Sequence, residues 1–152
     1  MKLGGGQDVP YPEPVSTAAT AVGAANRRTD SRAELQLRRQ LHASGRRFRK
    51  DLLLRFQGGR THVDIAFTRA RVAIFVDGCF WHCCPEHFKM PKSNVAYWQP
   101  KLAANLARDR RVDAALEAIG WNTVHVWEHE VPSGAALTRV TAALPTAARD
   151  DR

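Results

Sequence analysis

Cysteine is scarce in this chain, and its placement says more than its number: Cys79, Cys83 and Cys84 all fall in one short stretch. The disulfide framework of a small secreted domain would spread an even number of cysteines along the sequence, so that class is excluded. Clustered thiols point instead to a metal held in a reducing compartment. Long apolar runs are missing too. No segment approaches the roughly 20 consecutive apolar residues of a spanning helix, and the N-terminal MKLGGGQDVPYPEP lacks the apolar core of a signal peptide. A cytoplasmic protein without membrane contact is expected. Acidic residues are also outnumbered, 15 Asp and Glu against 23 Lys and Arg, for a formal charge of +8. That balance favours a polyanion, nucleic acid foremost, over a small acidic ligand.

What is present fits one domain: 152 residues at 44% hydrophobic composition bury a single core with little left for a second. Residues 1–28, rich in Gly, Pro, Ala, Ser and Thr without periodicity, are expected to form a disordered basic arm. Residues 29–145 carry the folded domain, and 146–152 a charged tail. SRAELQLRRQLHASG offers an N-cap at Ser31, Leu37 and Leu41 at helical spacing, and a terminating Gly45. After the basic FRKDLLLRF and the turn-forming QGGR, THVDIAF alternates, setting His62, Asp64 and Ala66 on a polar face against Val63, Ile65 and Phe67. RVAIFVD reads as a central strand that empties into DGCFWHCCPEHF. A long helix from Ser93 is predicted to bury Leu102, Leu106, Val112, Leu116 and Ile119 on one stripe and to stop at Gly120. WNTVHVWEHE is the last strand, and the Ala-rich tail from Ser133 a short capping helix. The order α-β-β-β-α-β gives an α/β domain with a central sheet flanked by helices.

The cysteine loop carries metal-ligand spacing. Cys79, Cys84 and His87 form a C-x4-C-x2-H run that wraps a tetrahedral ion such as zinc, and His129 beyond the last strand is the best fourth ligand, because a sheet gathers its strand ends. Cys83 and His82 are alternatives within the loop. For any one of these residues a buried thiol or a solvated imidazole is the commoner state. Their concentration favours the metal, and four protein ligands would make it structural. Chemistry then needs other groups. Asp64 and the end of the next strand at Val76 and Asp77 can offer oxygens to magnesium, and His82 at the mouth of the loop can take a proton from water. Glu34 can reach the same place from the helix, although Ser31-x-x-Glu34 is also a capping box.

At these residues the chain resembles the very short patch repair endonucleases, bacterial enzymes that nick beside T:G mismatches. The resemblance runs from about Asn26 to Val131 and is carried by the Glu34 helix, the Asp64 strand, FVDGCFWH, YWQPKLAANLARDRR and GWNTVHVWEHE. It implies a restriction-endonuclease-like fold with a mixed sheet and a structural zinc. It also implies magnesium-dependent cleavage of one strand of double-stranded DNA beside a T:G mismatch, in a monomer working with other repair proteins. Residue by residue it makes Asp64 a magnesium ligand, His82 and Glu34 catalytic, and Cys79, Cys84 and His129 zinc ligands, while His87 is preferred over Glu86 for the remaining position as the softer donor. Where the family has a threonine this chain has Val76, which offers magnesium only its backbone carbonyl and leaves Asp77 without a role. Phe80, Trp81 and Trp98 match aromatics that wedge into the duplex, and zinc would hold that wedge rigid against the few kcal/mol that unstacking costs. Lys101, Asn105, Arg108 and Arg111 follow as DNA contacts. Arg108, Arg110 and Arg111 read equally as a solvated helix face. Two rivals remain: a nuclease of the same fold that accompanies a modification system and lacks mismatch preference, and a zinc-containing DNA-binding module without catalysis.

Overall fold

The structure, a computed structural model, describes residues 30–146; the arm at residues 1–28 and the tail beyond Thr146 lie outside them. Helix α1 spans Arg32–Ala43. Ser31 caps it by accepting the Glu34 N–H on Oγ at 3.2 Å, and the Glu34 carboxylate turns back to accept the Asp30 N–H at 3.1 Å. The capping box is therefore built, with its return bond moved one residue upstream. Strands β1 (Arg49–Phe56), β2 (Gly59–Phe67) and β3 (Val72–Asp77) pair antiparallel in succession, and after the long helix α2 (Val95–Ala118) strand β4 (Asn122–Trp127) returns parallel to β3. The sheet is mixed, in the order β1-β2-β3-β4. A 3-10 turn at Glu128–Glu130 and helix α3 (Ala135–Ala143) follow.

Helices cover both faces. On one, Leu37 and Leu41 of α1 and Val140 of α3 pack over Ile65, Ile74 and Val126; on the other, Leu116 of α2 packs with Val63, Ala66 and Ala73. Gln40 of α1 donates to the Val131 carbonyl at 3.0 Å and so joins α1 to the segment that leads into α3. Gly120 ends α2 as expected: its φ is +90°, and a Cβ there would lie 3.0 Å from the Arg71 guanidinium. No helix among the described residues is long and apolar enough to cross a membrane.

Three expectations need correcting. The predicted alternation along β2 breaks at Asp64: Val63 packs with the Leu116 cluster, and Ile65 and Phe67 with the other. Pairing with β3 runs no further than Ile65↔Ile74, and the Asp64 carboxylate, not a main-chain oxygen, accepts the next inward N–H, that of Val76, at 2.8 Å. Ala66, assigned to the polar face, is fully buried because both faces of the sheet carry helices. The α2 stripe is also narrower than predicted. Leu102 and Leu116 are buried and Leu106 and Val112 half-buried, whereas Ile119 stands exposed at the helix end.

Candidate active site and metal centre

An open cleft of about 700 Å³ lies over the ends of β2, β3 and β4, between the β1–β2 hairpin and α2. It brings together Glu34, Asp64, Val76 and His82, four residues from a helix, two strands and a loop. Asp64 reaches it because β2 and β3 part at that point. Its carboxyl is pushed up to about 7, by burial first and by the charge of Glu34 next, while the Val76 N–H works the other way. Burial likewise raises Glu34 above the ordinary carboxylate range, against the hydrogen bonds from Asp30 and Ser31. Asp64 and Glu34 thus line one cleft as two desolvated carboxyls, the donor type a divalent cation takes, and Glu34 also accepts the Asp30 N–H and lies 3.9 Å from the Arg38 guanidinium.

His82 is placed by the loop and oriented by α2. Its Nδ1 lies 2.5 Å from Asp109 Oδ2, and its Nε2 3.9 Å from Asp77 Oδ1. Burial opposes its charge, but the Asp109 hydrogen bond and the Asp77 charge outweigh that, so its pKa sits above the ordinary imidazole value. Asp77, unassigned from sequence, turns its other oxygen to His125 on β4: Oδ2 is 2.8 Å from Nδ1. His125 Nε2 in turn lies 2.8 Å from Asp113 of α2, and its ring stacks on Phe75 at 5.0 Å. Sequence reading passed over Asp109, Asp113 and His125. Two signals were available: aspartates four apart share a helix face, and a histidine interrupts the apolar run TVHVW.

The zinc-type donors converge as the spacing predicted. Ligand atoms of Cys79, Cys84, His87 and His129 all lie within 4.8 Å of one another, two buried thiols with two imidazoles. Cys79 Sγ is 3.2 Å and Cys84 Sγ 3.7 Å from His129 Nδ1, and Cys84 Sγ is 3.9 Å from His87 Nδ1. Ligands at zinc bond lengths in a tetrahedron are about 3.3–3.8 Å apart, so the set fits such an ion with little adjustment. Glu86 stays outside the set and faces the far nitrogen of His129 at 3.3 Å. Burial, with the Glu128 charge adding to it, pushes the Cys79 thiol up to about 11; a bound cation would reverse that. Glu128 also anchors the loop by accepting the Cys79 N–H at 3.0 Å. Cys83 stands beside the set with φ +55°.

Beside this centre the aromatics form one cluster. Phe80 meets Trp81 and Trp98 edge-on, each at 5.1 Å, and Tyr97 packs on Trp98 at 4.8 Å. Phe80 and Trp81 are half-buried at the surface. Trp98 is only 5% exposed, which corrects its placement as a wedge: it lies beneath the other rings and supports them. Lys101 Nζ sits 5.2 Å from the Trp81 ring centroid, and Asn105 Nδ2 donates to the Trp81 carbonyl at 3.4 Å. Arg108 and Arg111 are exposed on the rim of the cleft.

Comparison with known proteins identifies relatives of this chain. The family model for the DNA mismatch endonuclease Vsr matches residues 16–86. The type II nicking enzyme V.NaeI of Lentzea aerocolonigenes is 46% identical over 121 residues, 79% of this chain and 73% of that protein. The type II nicking enzyme V.XorIIP of Xanthomonas oryzae pv. oryzae is 42% identical over 73% of this chain and 79% of its own. The DNA mismatch endonuclease Vsr of Escherichia coli is 38% identical over 68 residues, 43% of this chain and 42% of that protein.

Proposed function

From the membership of this chain in the DNA mismatch endonuclease Vsr family, a family of nucleases acting on the phosphodiester bonds of DNA, we infer that it nicks one strand of duplex DNA beside a T:G mismatch in the bacterial cytoplasm. The observation that carries this reading is the convergence of Asp64, Glu34 and His82 in one cleft beside a surface Phe80–Trp81 pair. Asp64, with the Val76 carbonyl, would hold magnesium, which when bound would supply Lewis-acid stabilisation of the charge developing on the phosphate. Glu34 adds a carboxylate to that site. His82 takes the proton of the attacking water on Nε2, because Asp109 occupies Nδ1 and fixes the tautomer. Cys79, Cys84, His87 and His129 would hold a zinc ion that would keep the loop rigid, and Phe80 and Trp81 enter the stack as a stiff wedge while Trp98 backs them. Lys101, Asn105, Arg108 and Arg111 hold the strand alongside as a single protein copy engages the duplex ahead of other repair proteins.

Nicking without mismatch preference, beside a modification system, is the second reading. It is favoured by the two relatives named as nicking enzymes, which match most of this chain, whereas the relative named for mismatches matches less than half of it. A non-catalytic DNA-binding module is set aside by family membership. Incubating the protein and magnesium with matched and T:G duplexes, each strand labelled in turn, separates the readings. Faster nicking of one strand of the mismatched duplex is expected. Equal rates on both duplexes would transfer the reading to the nicking enzymes, and no cleavage of either would overturn both.

A further inference from the structure

His125 has no part in the mechanism above, yet it sits in the same cleft, 30% exposed, with both ring nitrogens engaged. The contacts run as a closed chain. Asp109 of α2 holds His82 Nδ1, His82 Nε2 faces Asp77 Oδ1, Asp77 Oδ2 meets His125 Nδ1, and His125 Nε2 meets Asp113, back on α2 one turn from Asp109. A carboxylate only accepts, so a ring with a carboxylate oxygen 2.8 Å from each nitrogen carries a proton on both and is a cation. Consistently, although burial opposes its charge, Asp77 and Asp113 push its pKa up to about 9.

The weak link is the informative one. Asp77 lies 3.9 Å from His82 Nε2, outside hydrogen-bond range, and 2.8 Å from His125. A buried carboxylate beside two imidazoles bonds to whichever carries a proton toward it, and in this arrangement His125 has taken it. We propose that His125 is a positioning residue for cleavage: clamped between Asp77 and Asp113, it holds Asp77 away from His82 and leaves His82 Nε2 free to receive the proton of water. Without His125, Asp77 swings onto Nε2 and occupies the nitrogen the reaction needs. The stack on Phe75 places the ring in β4, and the Asp113 contact sets its tilt.

This inference rests on the proposed role of His82, and its test includes a readout independent of cleavage. In His125→Gln, turnover should fall about tenfold or more, within the range general-base catalysis supplies, with KM for the duplex and zinc content unchanged. Its crystal structure should show an Asp77 oxygen within hydrogen-bond distance of His82 Nε2. The double variant His125→Gln/Asp77→Ala should recover most of the lost turnover, because the competing carboxylate is gone. A side chain that merely fills space on Phe75 would give a loss that Asp77→Ala does not rescue. Turnover within about twofold of the native enzyme, a failed rescue, or an Asp77 that stays in place overturns the proposal. If His125→Gln does not fold, Asp113→Asn loosens the same clamp from the exposed side. A severalfold loss of turnover at unchanged KM is then expected, and native turnover contradicts the idea. If the native protein nicks no duplex, the functional reading fails, while the position of Asp77 in the variant crystal still decides the clamp.

Discussion

Asp64 is where residue chemistry and strand geometry meet. With its carboxyl raised from 3.8 to about 7, the metal-free folded state binds a proton that the unfolded state releases. Stability therefore falls as pH rises from about 4 to about 7 and levels off above that window. Asp64→Asn removes the penalty. The metal-free variant should be more stable than the native protein at pH 8, by roughly 1–3 kcal/mol after allowing for partial exposure, and the difference should vanish near pH 4; denaturant melts at both values check it. The same shift makes magnesium compete with a proton, so its apparent affinity should rise up to pH 7 and then flatten. His82, also raised, gives cleavage a dependence of the same sign, with activity growing as pH climbs past the ordinary imidazole range. Asp64→Ala and His82→Ala should each lower cleavage by about 100-fold or more, with duplex affinity in the absence of a divalent metal intact or, for Asp64→Ala, slightly raised; wild-type rates in either variant would remove that residue from the site. That Asp64, His82 and Glu34 share one cleft was foreshadowed in the sequence, because a carboxylate interrupts the β2 strand, a histidine stands at the loop mouth and a glutamate at the helix start. For His125 and Asp113 the sequence carries only the hints of a histidine in an apolar run and aspartates four apart; that the two meet depends on a parallel register, Phe75↔His125, and a helix azimuth that a linear pattern does not display.

At the scale of elements, the loop between β3 and α2 makes backbone hydrogen bonds such as Cys84 N–H to Cys79 O at 2.9 Å, but its side chains bury little beyond the two thiols. A metal at the Cys79, Cys84, His87 and His129 set would supply the missing stability. Chelating zinc, or Cys84→Ala, should cost about 3 kcal/mol or more and lower Tm by roughly 10 °C. Metal analysis with a thermal melt tests this; an unchanged Tm in metal-free protein would show that the loop holds itself. The aromatic cluster divides by burial. Trp81→Ala should narrow the preference for a mismatched duplex by about 1–3 kcal/mol, the worth of one stacked base, with zinc content and fold unaltered. Trp98→Ala opens a cavity under the cluster and should cost about 3–5 kcal/mol of stability. If Trp81→Ala keeps the full preference, base unstacking is not how the mismatch is found. Element order and the termini of α1 and α2 were readable from Ser31, Gly45, Gly120 and apolar spacing. The failures at Val63 and Ala66 come from two-sided burial and from the break in pairing at Asp64, which together erase the period-2 signal on which strand faces are read.

Across the whole molecule, three layers put an acidic floor inside a basic protein. The cleft holds Glu34, Asp64, Asp77, Asp109 and Asp113, while Arg60, Arg108 and Arg111 stand at its edge in a chain of net charge +8. The sequence shows the excess of charge but not this segregation, because the acidic residues come from two helices, two strands and opposite ends of the chain order. A phosphate backbone is thus attracted by the rim and repelled by the floor until a cation neutralises it, so binding without a divalent metal depends on the rim alone. Affinity for duplex DNA should fall linearly with the logarithm of salt concentration, with a slope of about −0.9 for each phosphate neutralised. Arg111→Ala should reduce that slope by about 1 and weaken matched and mismatched duplexes alike, since a phosphate contact carries no base information. Magnesium should steepen the contrast between native protein and Asp64→Ala, as only the native floor gains a cation. Titrations at several salt concentrations measure all three slopes. An Arg111→Ala slope equal to native would make the arginine a solvated helix residue and leave the strand to the other rim cations, Arg108 on α2 and Arg60 on the hairpin.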